Sequence, residues 1–584
     1  MRSTDERHWD SETDLLVIGA GAAGMTAALV GKLEGLQVVL CEKSDMVGGT
    51  TATSAGSVWI PGSSQSRKAG VPDSLEAAKT YLAGMLGDGV SDERLSAFLA
   101  SGPVMLDYLE RRTSVVFAAP PVHPDYRDLP GAAVGGRALG ALPFDGGSLG
   151  ADFERVRPPR REFMVLGGMM VGKDDIPPLV APLRSWSNFR HVASLLLRHA
   201  CDRLTFKRGT RLIMGNALVA RLLSDLRRLA VEIRYRTAIR ELIKIDDEIV
   251  GAVLATPIGQ TAIRARKGVV LATGGIGWSA ELRERLLQEN TRRYSLSPDS
   301  NTGDGILAGE HASGEIEGGF ESRALWMPSS VMRQPDGHLS VFPHIMLDRA
   351  KPGLLAVDAS GRRFVNEANS YHDFVQGMLR SNHAPASVPS YLICDRRFVS
   401  DYGIGLIHPG TRDLRRFIEA SYLIEGHTIA NLASKIGCDG QALSETIERY
   451  NGYAESGIDE EFGRGSSPLN RFNGDPRNKP NPCLRKVGPG PFYAVTVWPA
   501  DLASSAGLRT DSRGRVRRSD GTPLKGLYAA GTDAASIFKG TYPGPGTMIG
   551  PAMVFAWRAA MDAAGTLDNY AAQRIEPSEL GQTC

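Results

Sequence analysis

The chain has 584 residues, a formal net charge of +2 at pH 7 and 42% hydrophobic residues. These values are typical of a soluble globular protein, and a nearly neutral chain offers no strong attraction for nucleic acid. The length allows several ordinary domains, or one large cofactor domain that a second domain interrupts.

The N-terminus and the cysteines favour a cytoplasmic protein. Residues 1–14 are polar and contain neither the apolar segment of a secretion signal nor a twin-arginine pair. No apolar run approaches the roughly 18 residues that a membrane-spanning helix needs. The six cysteines are scattered, without a CxxC motif or the spacing of metal ligands. We therefore expect reduced thiols and no metal site.

The first fifty residues predict a βαβ unit. Residues 13–18 (TDLLVI) have the pattern of a buried strand, residues 22–33 that of a helix, and residues 37–41 (QVVLC) that of the next strand. Glycines occupy the turn between the first strand and the helix, at the GxGxxG spacing of dinucleotide-binding proteins. The strand–turn–helix–strand order makes this motif much more specific than the glycines alone.

The residues of this turn have separate predicted tasks. Gly19 allows a tight turn, Gly21 allows the backbone to approach a pyrophosphate, and Gly24 allows the helix to pack closely on the strand. The helix N-terminus, which includes Ala23, would face the phosphates. Glu42 ends the second strand and can accept hydrogen bonds from a ribose. We therefore predict a dinucleotide cofactor.

The next part of the chain alternates between helical and irregular segments. Residues 74–111 and 186–225 carry apolar residues at helical spacing. Residues 118–178 are rich in glycine, proline and arginine, which predicts a long excursion from the core. Two basic stretches, residues 155–161 and 513–518, are flanked by acids and by glycine or proline. We expect solvated loops there, with a peripheral membrane contact as the alternative.

Further strands are predicted in the middle and near the end of the chain. Residues 231–235, 238–245 and 250–256 resemble a three-stranded meander. Residues 268–272 (GVVLA) and 526–530 (GLYAA) are short continuous apolar runs. Such runs are typical of strands that are buried on both faces.

The first and last parts of the chain resemble pieces of one cofactor domain. We therefore predict an α/β protein, in which a Rossmann-like domain is interrupted by a cap. The predicted divisions are residues 1–317 for the first part, residues 318–497 for the catalytic cap and residues 498–584 for the C-terminal part. A long helix at residues 550–564 belongs to the last part.

Two strand exits favour FAD over a nicotinamide. At residues 273–275 and 531–533, backbone N–H groups can meet phosphate or ribityl oxygens, and the acid at residue 533 can accept from a ribityl hydroxyl. Residues 48–56 (GGTTATSAG) are small or carry hydroxyls, so a flat ring can lie close to the chain. NAD needs no third contact near a C-terminus, whereas the longer FAD does. The predicted contacts beyond the first turn are Gly49, Thr50, Thr51, Ser54, Gly56, Ala238, Thr273, Gly274, Gly275, Gly531, Asp533, Thr547 and Ile549.

Together these features resemble the FAD-dependent fumarate reductase and succinate dehydrogenase flavoprotein superfamily. The resemblance implies a Rossmann-like FAD domain interrupted by an α+β cap that closes on the flavin. Succinate dehydrogenases carry a histidine, bonded covalently to the flavin, in the segment that corresponds to residues 48–56. This chain has no histidine there, so we predict non-covalent FAD.

Three blocks on the substrate side lack the cationic residues of fumarate reductases. Tyr371 stands where the resemblance places the proton-donating arginine, and Pro543 stands where it places a carboxylate-binding arginine. Residues 499–508 contain no histidine, although fumarate reductases have one in that block. Because buried carboxylates without cationic partners are strongly unfavourable, a dicarboxylate substrate is disfavoured.

The same blocks resemble the 3-ketosteroid Δ1-dehydrogenases, through the motifs TYPGPG and RFVNExxxY, and the likeness extends over residues 15–564. The resemblance implies that the Tyr542 hydroxyl and the Gly546 N–H bind the C3 carbonyl oxygen of a ketosteroid. It also implies that Tyr371 removes a proton from C2, while hydride leaves C1 for flavin N5. Tyr126, in the sequence HPDYRD, is the candidate for a tyrosine that assists this base.

The chemistry supports this assignment independently. An unactivated C–H bond releases hydride only if the neighbouring carbon gains carbanion character. A nearby carbonyl provides that character by enolising, provided that donors hold the developing oxyanion. A tyrosine with an ordinary pKa of ~10 is mostly protonated at neutral pH, so the site must lower that pKa. A second phenol donor or a helix N-terminus would do so.

Other functions stay open at this point. Residues 505–508 read Ser-Ala-Gly-Leu where steroid dehydrogenases read Lys-Gly-Gly-Leu. The alternatives are 4,5-desaturation of a 5α-3-ketosteroid, reduction of an enone, or an electron-transfer flavoprotein without steroid turnover. The sequence contains no recognisable iron–sulfur or haem ligands, so we expect an external acceptor, such as a quinone, another protein or oxygen, to re-oxidise the flavin.

Overall fold

The computed structural model describes residues 8–71, 73–345, 348–381 and 388–572. Residues 1–14 are the segment in which we expect no secretion signal, and residues 1–7 of it lie outside these ranges. Cys584 also lies outside them.

An eight-stranded sheet contains the predicted βαβ unit. Its strands, in order across the sheet, are Glu232–Arg234, Val38–Cys41, Ser11–Ile18, Gly259–Leu271, Glu248–Thr256, Pro523–Ala529 and Arg515–Arg517, with Ala238–Ile245 beside Glu248–Thr256. Ser11–Ile18 pairs in parallel with both of its neighbours, as the βαβ prediction requires. The end of the long strand Gly259–Leu271 pairs in parallel with Pro523–Ala529. The strands predicted at residues 268–272 and 526–530 therefore lie side by side.

The predicted three-stranded meander is wrong in one strand. Glu232–Arg234 pairs in parallel with Val38–Cys41. The antiparallel meander consists instead of Ala238–Ile245, Glu248–Thr256 and the first part of Gly259–Leu271. An edge strand exposes backbone groups that a neighbouring strand can satisfy, and the local sequence pattern does not reveal which edge a given strand will join.

Side chains of the first strand enter two separate cores. Leu15 and Val17 share one core with the helix Ala22–Leu33, whereas Leu16 and Ile18 share another core on the opposite face. All four side chains are buried. Burial on both faces explains why this strand is continuously apolar rather than alternating.

Helices surround this sheet and the segments attached to it. They are Ala22–Leu33, Gly49–Ala52, Ser64–Lys68, Leu75–Leu86, Glu93–Arg112, Ile176–Val180, Trp186–Asp202, Met214–Arg228, Ala280–Leu286, Asp304–His311, Ile549–Ala564 and Leu567–Ala572. The helical segment predicted at residues 74–111 is divided in two at Gly87, which has a φ of +53°. Such a left-handed conformation favours glycine and ends a helix.

A seven-stranded sheet organises the chain between the two parts of the first sheet. Its strands, in order, are Leu339–Pro343, Ala324–Arg333, Phe492–Ser504, Ser390–Asp395 and Leu354–Val357, with Tyr294–Ser295 and Ile424–Gly426 also paired to Phe492–Ser504. Its helices are Tyr371–Arg380, Arg396–Tyr402, Arg415–Glu419, Ile429–Ile436, Gly440–Ser456 and Pro468–Asn473. The predicted boundary between residues 497 and 498 falls inside Phe492–Ser504. The mixture of helices with a largely parallel and a largely antiparallel sheet agrees with the predicted α/β class.

The excursion predicted at residues 118–178 consists mainly of turns, 3-10 helix and short strands. The small strand pairings of the molecule are Ala138–Ala141 with Ser57–Trp59 and Phe117–Ala118, Phe144–Asp145 with Arg211–Leu212, Met164–Val165 with Met169–Met170, and Ile316–Glu317 with Gly507–Leu508. The pairings with Ser57–Trp59 and with Arg211–Leu212 fasten the excursion to the segments before and after it.

Candidate active site

The glycines of the first turn divide into two groups. A Cβ on Gly24 would lie 1.7 Å from the carbonyl oxygen of Gly19, which itself has a φ of +102°. These two glycines are therefore required by backbone packing. A Cβ on Gly21 or on Gly49 would have its nearest neighbour only at 3.9 Å. This pair leaves an open surface at the N-terminus of the helix Ala22–Leu33, where an anion is favoured.

Glu42 fastens the turn to the end of the second strand. Its Oε2 accepts from the Ala20 N–H at 2.9 Å, and its Oε1 accepts from the N–H and the hydroxyl of Ser44, both at 2.9 Å. Oε2 therefore keeps one lone pair with which to accept from a ribose, whereas both lone pairs of Oε1 are used by Ser44. Ala238 lies beside this site, because the N–H of the preceding Thr237 donates to the Glu42 carbonyl at 2.9 Å.

The hydroxyl-rich segment folds back onto the same helix. The Thr51 hydroxyl oxygen accepts from the Ala22 N–H at 3.1 Å and so satisfies one donor of the helix N-terminus. Ser54 accepts from the Gly56 N–H at 3.0 Å. Asn301, which no sequence motif marks, donates from its amide to the Thr50 hydroxyl at 3.0 Å and thereby fixes this segment.

Asp533 joins the two strand exits. Its carboxylate is fully buried and accepts from the Thr273 N–H at 2.6 Å, from the Gly275 N–H at 3.0 Å and from the Thr273 hydroxyl at 3.1 Å. Burial raises the pKa of Asp533. Gly274 and Gly531 both have positive φ, at 103° and 70°. The two exits therefore meet around one carboxylate, whose acceptor role in the structure is mainly toward the backbone rather than toward a ribityl hydroxyl.

The remaining predicted cofactor contacts gather at the last long helix. A Cβ on Gly531 would lie 3.2 Å from Ala23 Cβ, which brings the second strand exit to the first helix. Ile549 begins the helix Ile549–Ala564. Two residues earlier, the Thr547 hydroxyl donates to the Gly544 carbonyl at 2.5 Å. The second strand exit therefore lies against the first helix, and Thr547 and Ile549 stand at the start of the last long helix.

Three buried tyrosines meet in one apolar cluster; we call them the tyrosine cluster. They are Tyr126, Tyr371 and Tyr542, and they belong to three distant parts of the chain. The Tyr126 hydroxyl donates to the Tyr371 hydroxyl oxygen at 3.0 Å. The Tyr542 ring centroid lies 5.4 Å from that of Tyr126 and 5.3 Å from that of Tyr371. All three predicted phenols therefore lie together.

Backbone contacts hold the TYPGPG loop in place beside the cluster. The Pro543 carbonyl accepts from the Tyr126 N–H at 2.9 Å and from the Tyr81 hydroxyl at 2.7 Å. Gly546 has a φ of +94°, and a Cβ there would lie 2.6 Å from the backbone of Ser57. A side chain at residue 546 would therefore push this loop away from the tyrosines. Tyr81 was not identified from the sequence.

Some features of the tyrosine cluster oppose ionisation of its phenols and others favour it. Burial raises the pKa of all three phenols well above the usual range. The Arg349 guanidinium acts in the opposite direction on Tyr126 and Tyr371, because its charge favours a phenolate. Tyr371 is also the first residue of the helix Tyr371–Arg380, whose N-cap is Ser370. A helix N-terminus stabilises negative charge.

Arg349 is a second residue that the sequence analysis missed. Its fully buried side chain donates to the carbonyls of His344, Glu367 and Asn369, at 2.6, 2.7 and 3.2 Å. Asn369 lies two residues before Tyr371, so the same guanidinium fixes the loop that leads to the tyrosine. No motif marks Arg349, because its role depends on contacts with a segment twenty residues away.

Comparisons with known proteins agree with this architecture. A family model described as an FAD binding domain matches residues 14–549. A 4-oxocyclohex-2-ene-1-carboxylate 5-dehydrogenase from Sinomonas cyclohexanicum is 36% identical over 97% of this chain and 96% of its own length. A 3-oxosteroid 1-dehydrogenase from Mycolicibacterium smegmatis is 36% identical over 95% of this chain and 98% of its own length. The solved structure of a 3-ketosteroid Δ1-dehydrogenase from Sterolibacterium denitrificans, in complex with 1,4-androstadiene-3,17-dione, is 33% identical and has a TM-score of 0.88; the match covers 95% of this chain and 100% of that one.

The chain belongs to the 3-ketosteroid Δ1-dehydrogenase family of FAD-binding flavoproteins. It is an FAD-dependent oxidoreductase that acts on a CH–CH group. A flavocytochrome c3 fumarate reductase, 21% identical with a TM-score of 0.59, shares the fold. The predicted fold class, family and cofactor are thereby confirmed, whereas the individual residue roles stay predictions.

The residues of the site fit FAD. Gly21 and Gly49 leave room for a pyrophosphate, Glu42 keeps one lone pair on Oε2 for the ribose, and the exits around Asp533 supply polar groups for the ribityl chain. In the described part of the chain, no group of three or more His, Cys, Asp or Glu side chains is placed to hold a metal ion. Among the same residues, no helix is both long enough and apolar enough to cross a membrane.

Proposed function

We propose that this protein desaturates the 1,2-bond of a 3-ketosteroid or of a related bulky cyclic ketone. The observation that carries the proposal is the buried tyrosine cluster, in which the Tyr126 hydroxyl donates to Tyr371 at 3.0 Å. Relatives that are named 3-oxosteroid 1-dehydrogenase, and the related structure with a bound androstadienedione, support the substrate class. FAD, when bound, supplies the hydride acceptor.

Tyr371 is the proposed base for the C2 proton. Burial raises its pKa, so its ionisation needs support from the surrounding groups. The Tyr126 hydroxyl donates to it, the helix N-terminus lies beneath it, and the Arg349 charge favours the phenolate. The helix N-terminus and the Arg349 charge stabilise the ionised form relative to the neutral form, whereas the neighbouring Tyr126 phenol raises the pKa of Tyr371. Tyr126 assists and does not itself take the proton.

Tyr542 and Gly546 are the proposed donors to the C3 oxygen. Loss of the C2 proton moves negative charge onto that oxygen, and donors that are already in position stabilise the charge without further reorganisation. The Tyr542 side chain is only 6% exposed, so water competes poorly with it. In this arrangement the base and the oxyanion donor approach the same ring of the substrate.

The cofactor domain, in this proposal, comprises residues 1–317 and 498–584, and residues 318–497 form the catalytic cap. FAD is held without a covalent bond, since residues 48–56 contain no histidine. An external acceptor, a quinone or another protein, removes the electrons after each turnover. The location is proposed to be cytoplasmic.

Product analysis tests the proposal directly. The purified holoenzyme is incubated with 4-androstene-3,17-dione or with 5α-androstane-3,17-dione, with dichlorophenolindophenol as the acceptor, and the products are analysed by mass spectrometry and NMR. We expect a 1,2-double bond in each product. A 4,5-double bond from the 5α-steroid would establish the other regiochemistry. Absence of flavin bleaching by any steroid in an anaerobic titration would identify an electron-transfer flavoprotein instead.

A monocyclic keto acid is the second candidate substrate. Two relatives from Sinomonas cyclohexanicum, at 36% and 33% identity, are named for oxocyclohexane or oxocyclohexene carboxylates. Arg160 donates to the carbonyls of Leu296 and Val341, at 3.2 and 2.8 Å, and both residues pack in the tyrosine cluster's apolar surroundings. Its buried Nε has no hydrogen-bond partner and lies 3.6 Å from Glu162 Oε2. A substrate carboxylate would supply the missing acceptor.

The two candidates are separated by one variant. Arg160→Gln is expected to raise KM for 4-oxocyclohexanecarboxylate at least tenfold, by about the 1.5–3 kcal/mol of a hydrogen bond to a charged group, and to leave KM for 4-androstene-3,17-dione unchanged. Arg161→Gln is the matched control, since the Arg161 side chain is exposed. If the wild-type protein does not turn over the keto acid at all, this candidate is wrong and the steroid proposal is unaffected.

A further inference from the structure

Three consecutive residues of one loop connect the first part of the chain to the helix Tyr371–Arg380. The first, Asp125, is buried, and its carboxylate accepts from the Trp59 ring N–H at 2.8 Å. The second, Tyr126, donates through its hydroxyl to Tyr371. The third, Arg127, binds the same helix through an ion pair. The loop is therefore anchored at its start and reaches the helix of the proposed base at its end.

This ion pair joins Arg127 to Asp373, which lies 246 positions further along the chain. Arg127 Nη2 donates to Asp373 Oδ1 at 2.7 Å, and Arg127 Nε donates to the same oxygen at 3.3 Å. The two side chains are 35% and 17% exposed, so they are partly shielded from water. A cleft lined by Asp128, Ser467 and Pro468 opens beside Arg127. Close packing therefore does not hold the loop on that side.

Asp373 is itself fixed to the residue before Tyr371. Its Oδ2 accepts from the Ser370 hydroxyl at 2.8 Å, and its N–H donates to Ser370 Oγ at 3.0 Å. Ser370 is the N-cap of the helix, so both contacts stabilise its first turn. Since Arg127 directly follows Tyr126, the ion pair holds the backbone next to both phenols that share the 3.0 Å hydrogen bond.

The ion pair also determines the net charge close to Tyr371. Asp373 lies in the first turn of the helix, two residues after Tyr371, and its negative charge disfavours a phenolate there. The Arg127 guanidinium compensates that charge. The other titratable and charged groups around Tyr371 come from the same helix and from three other segments; they are His372, Tyr126, Tyr542 and Arg349.

We propose that the ion pair of Arg127 and Asp373 positions the two hydrogen-bonded phenols of the tyrosine cluster for the dehydrogenation. Its second effect is to compensate a carboxylate that would otherwise disfavour ionisation of the base. This role of the pair depends on Tyr371 being the base, as proposed above. A single, partly exposed ion pair contributes little to folding stability, so the expected effect of its loss is on the reaction rate.

Three variants separate the positioning effect from the charge effect. They are Arg127→Gln, Asp373→Asn and the double variant, and all three lose the ion pair. The rate of flavin reduction by saturating 4-androstene-3,17-dione is measured anaerobically by stopped flow at a single pH. The double variant should be about tenfold slower than the wild type, because small displacements of reacting groups are costly in rate.

The single variants should lie on either side of the double variant. Arg127→Gln leaves the carboxylate uncompensated and should be the slowest of the three, whereas Asp373→Asn leaves the guanidinium uncompensated and should be the fastest. We expect about a tenfold difference between the two, from unlike charges in a partly solvated site. Equal rates in all three variants would indicate a merely structural contact and would overturn the proposal.

The link to the hydrogen bond between the phenols is tested by a double-mutant cycle. Tyr126→Phe should slow the wild-type enzyme, but it should slow the double variant by less than about twofold, because that hydrogen bond is already misaligned. An equal effect in both backgrounds would contradict the proposal. Arg127→Lys keeps the charge, so its rate should return to within about threefold of the wild-type rate.

The control is Glu321→Gln/Arg380→Gln, which removes an exposed ion pair of 3.1 Å at the other end of the same helix. It should react at the wild-type rate, and FAD content and thermal stability should be nearly the same in all variants. Tyr371→Phe is measured alongside. If Tyr371→Phe reacts at the wild-type rate, both the proposed function and the positioning role are wrong. If Tyr371→Phe is slow while Arg127→Gln and Asp373→Asn react at the wild-type rate, only the positioning role is wrong.

Discussion

Replacement of Tyr371 by phenylalanine removes the proposed base with little change in packing. The ring contacts with Tyr126 and Tyr542, at centroid distances of 5.4 and 5.3 Å, are retained. Only the hydroxyl is lost, together with the 3.0 Å hydrogen bond that it accepts from Tyr126. The variant therefore separates the chemistry of the phenol from the shape of the site.

Loss of the Tyr371 hydroxyl should affect both the reaction rate and the stability of the protein, by different amounts. Removal of a general base lowers a rate by about 10²–10⁴, which corresponds to roughly 3–5 kcal/mol in activation free energy. The Tyr126 hydroxyl loses its acceptor in a site where that residue is 7% exposed. A buried unsatisfied donor lowers the free energy of unfolding by about 1–3 kcal/mol. The kinetic effect should thus exceed the effect on stability.

Anaerobic stopped-flow spectroscopy measures the rate of flavin reduction by a saturating ketosteroid, and thermal unfolding measures stability. Tyr126→Phe is the matched control, because it breaks the same hydrogen bond from the other end and leaves the Tyr371 hydroxyl in place. We expect a similar loss of stability in both variants and a much smaller loss of rate for Tyr126→Phe. A Tyr371→Phe enzyme that reduces its flavin at the wild-type rate would refute the assignment. A Tyr126→Phe enzyme slower than Tyr371→Phe would transfer the role of base to Tyr126.

Three further outcomes are expected. Since burial raises the pKa of Tyr371 well above its usual range, the logarithm of the flavin reduction rate should rise with pH from 7 to 9 with a slope that approaches one per pH unit; a flat profile would contradict a phenolate base. Gly24→Ala should lower both the thermal stability of the apoprotein and its FAD content, because its Cβ would lie 1.7 Å from a carbonyl oxygen, whereas Gly21→Ala, with its nearest neighbour at 3.9 Å, should weaken FAD binding alone. His372 is buried and accepts from the Trp326 N–H at 3.2 Å through Nδ1, and burial lowers its pKa to about 4. The unfolded chain takes up this proton below pH 6.5 while the folded chain does not, so the free energy of unfolding should fall by up to about 3 kcal/mol between pH 6.5 and 4; denaturant titrations at both pH values should show a smaller fall for His372→Gln.

Much of the site could be predicted because its signals are local. The helix predicted at residues 22–33 has those same bounds in the structure, since turn glycines and apolar periodicity act over a few neighbouring residues. The tyrosines at residues 126, 371 and 542 were selected through motifs, and the structure brings their rings together. Whether Tyr371 and Tyr542 have the proposed roles stays a prediction.

The residues that support the site could not be predicted in the same way. Asn301, Arg349 and Tyr81 each act on a segment far away in sequence, through side-chain hydrogen bonds or through charge. The strand Glu232–Arg234 was predicted correctly as a strand but placed beside the wrong neighbour. Pairing between distant strands depends on which sheet edge is free, and a local pattern carries no information about that edge.

The sequence by itself determined the cofactor class, the first βαβ unit and the aromatic alcohols of the substrate side, because each depends on residue type at short spacing. Only the tertiary structure decided how three tyrosines meet and which buried guanidinium acts on them. Those properties depend on burial and on long-range packing, which exist only when distant segments of the chain are brought into contact.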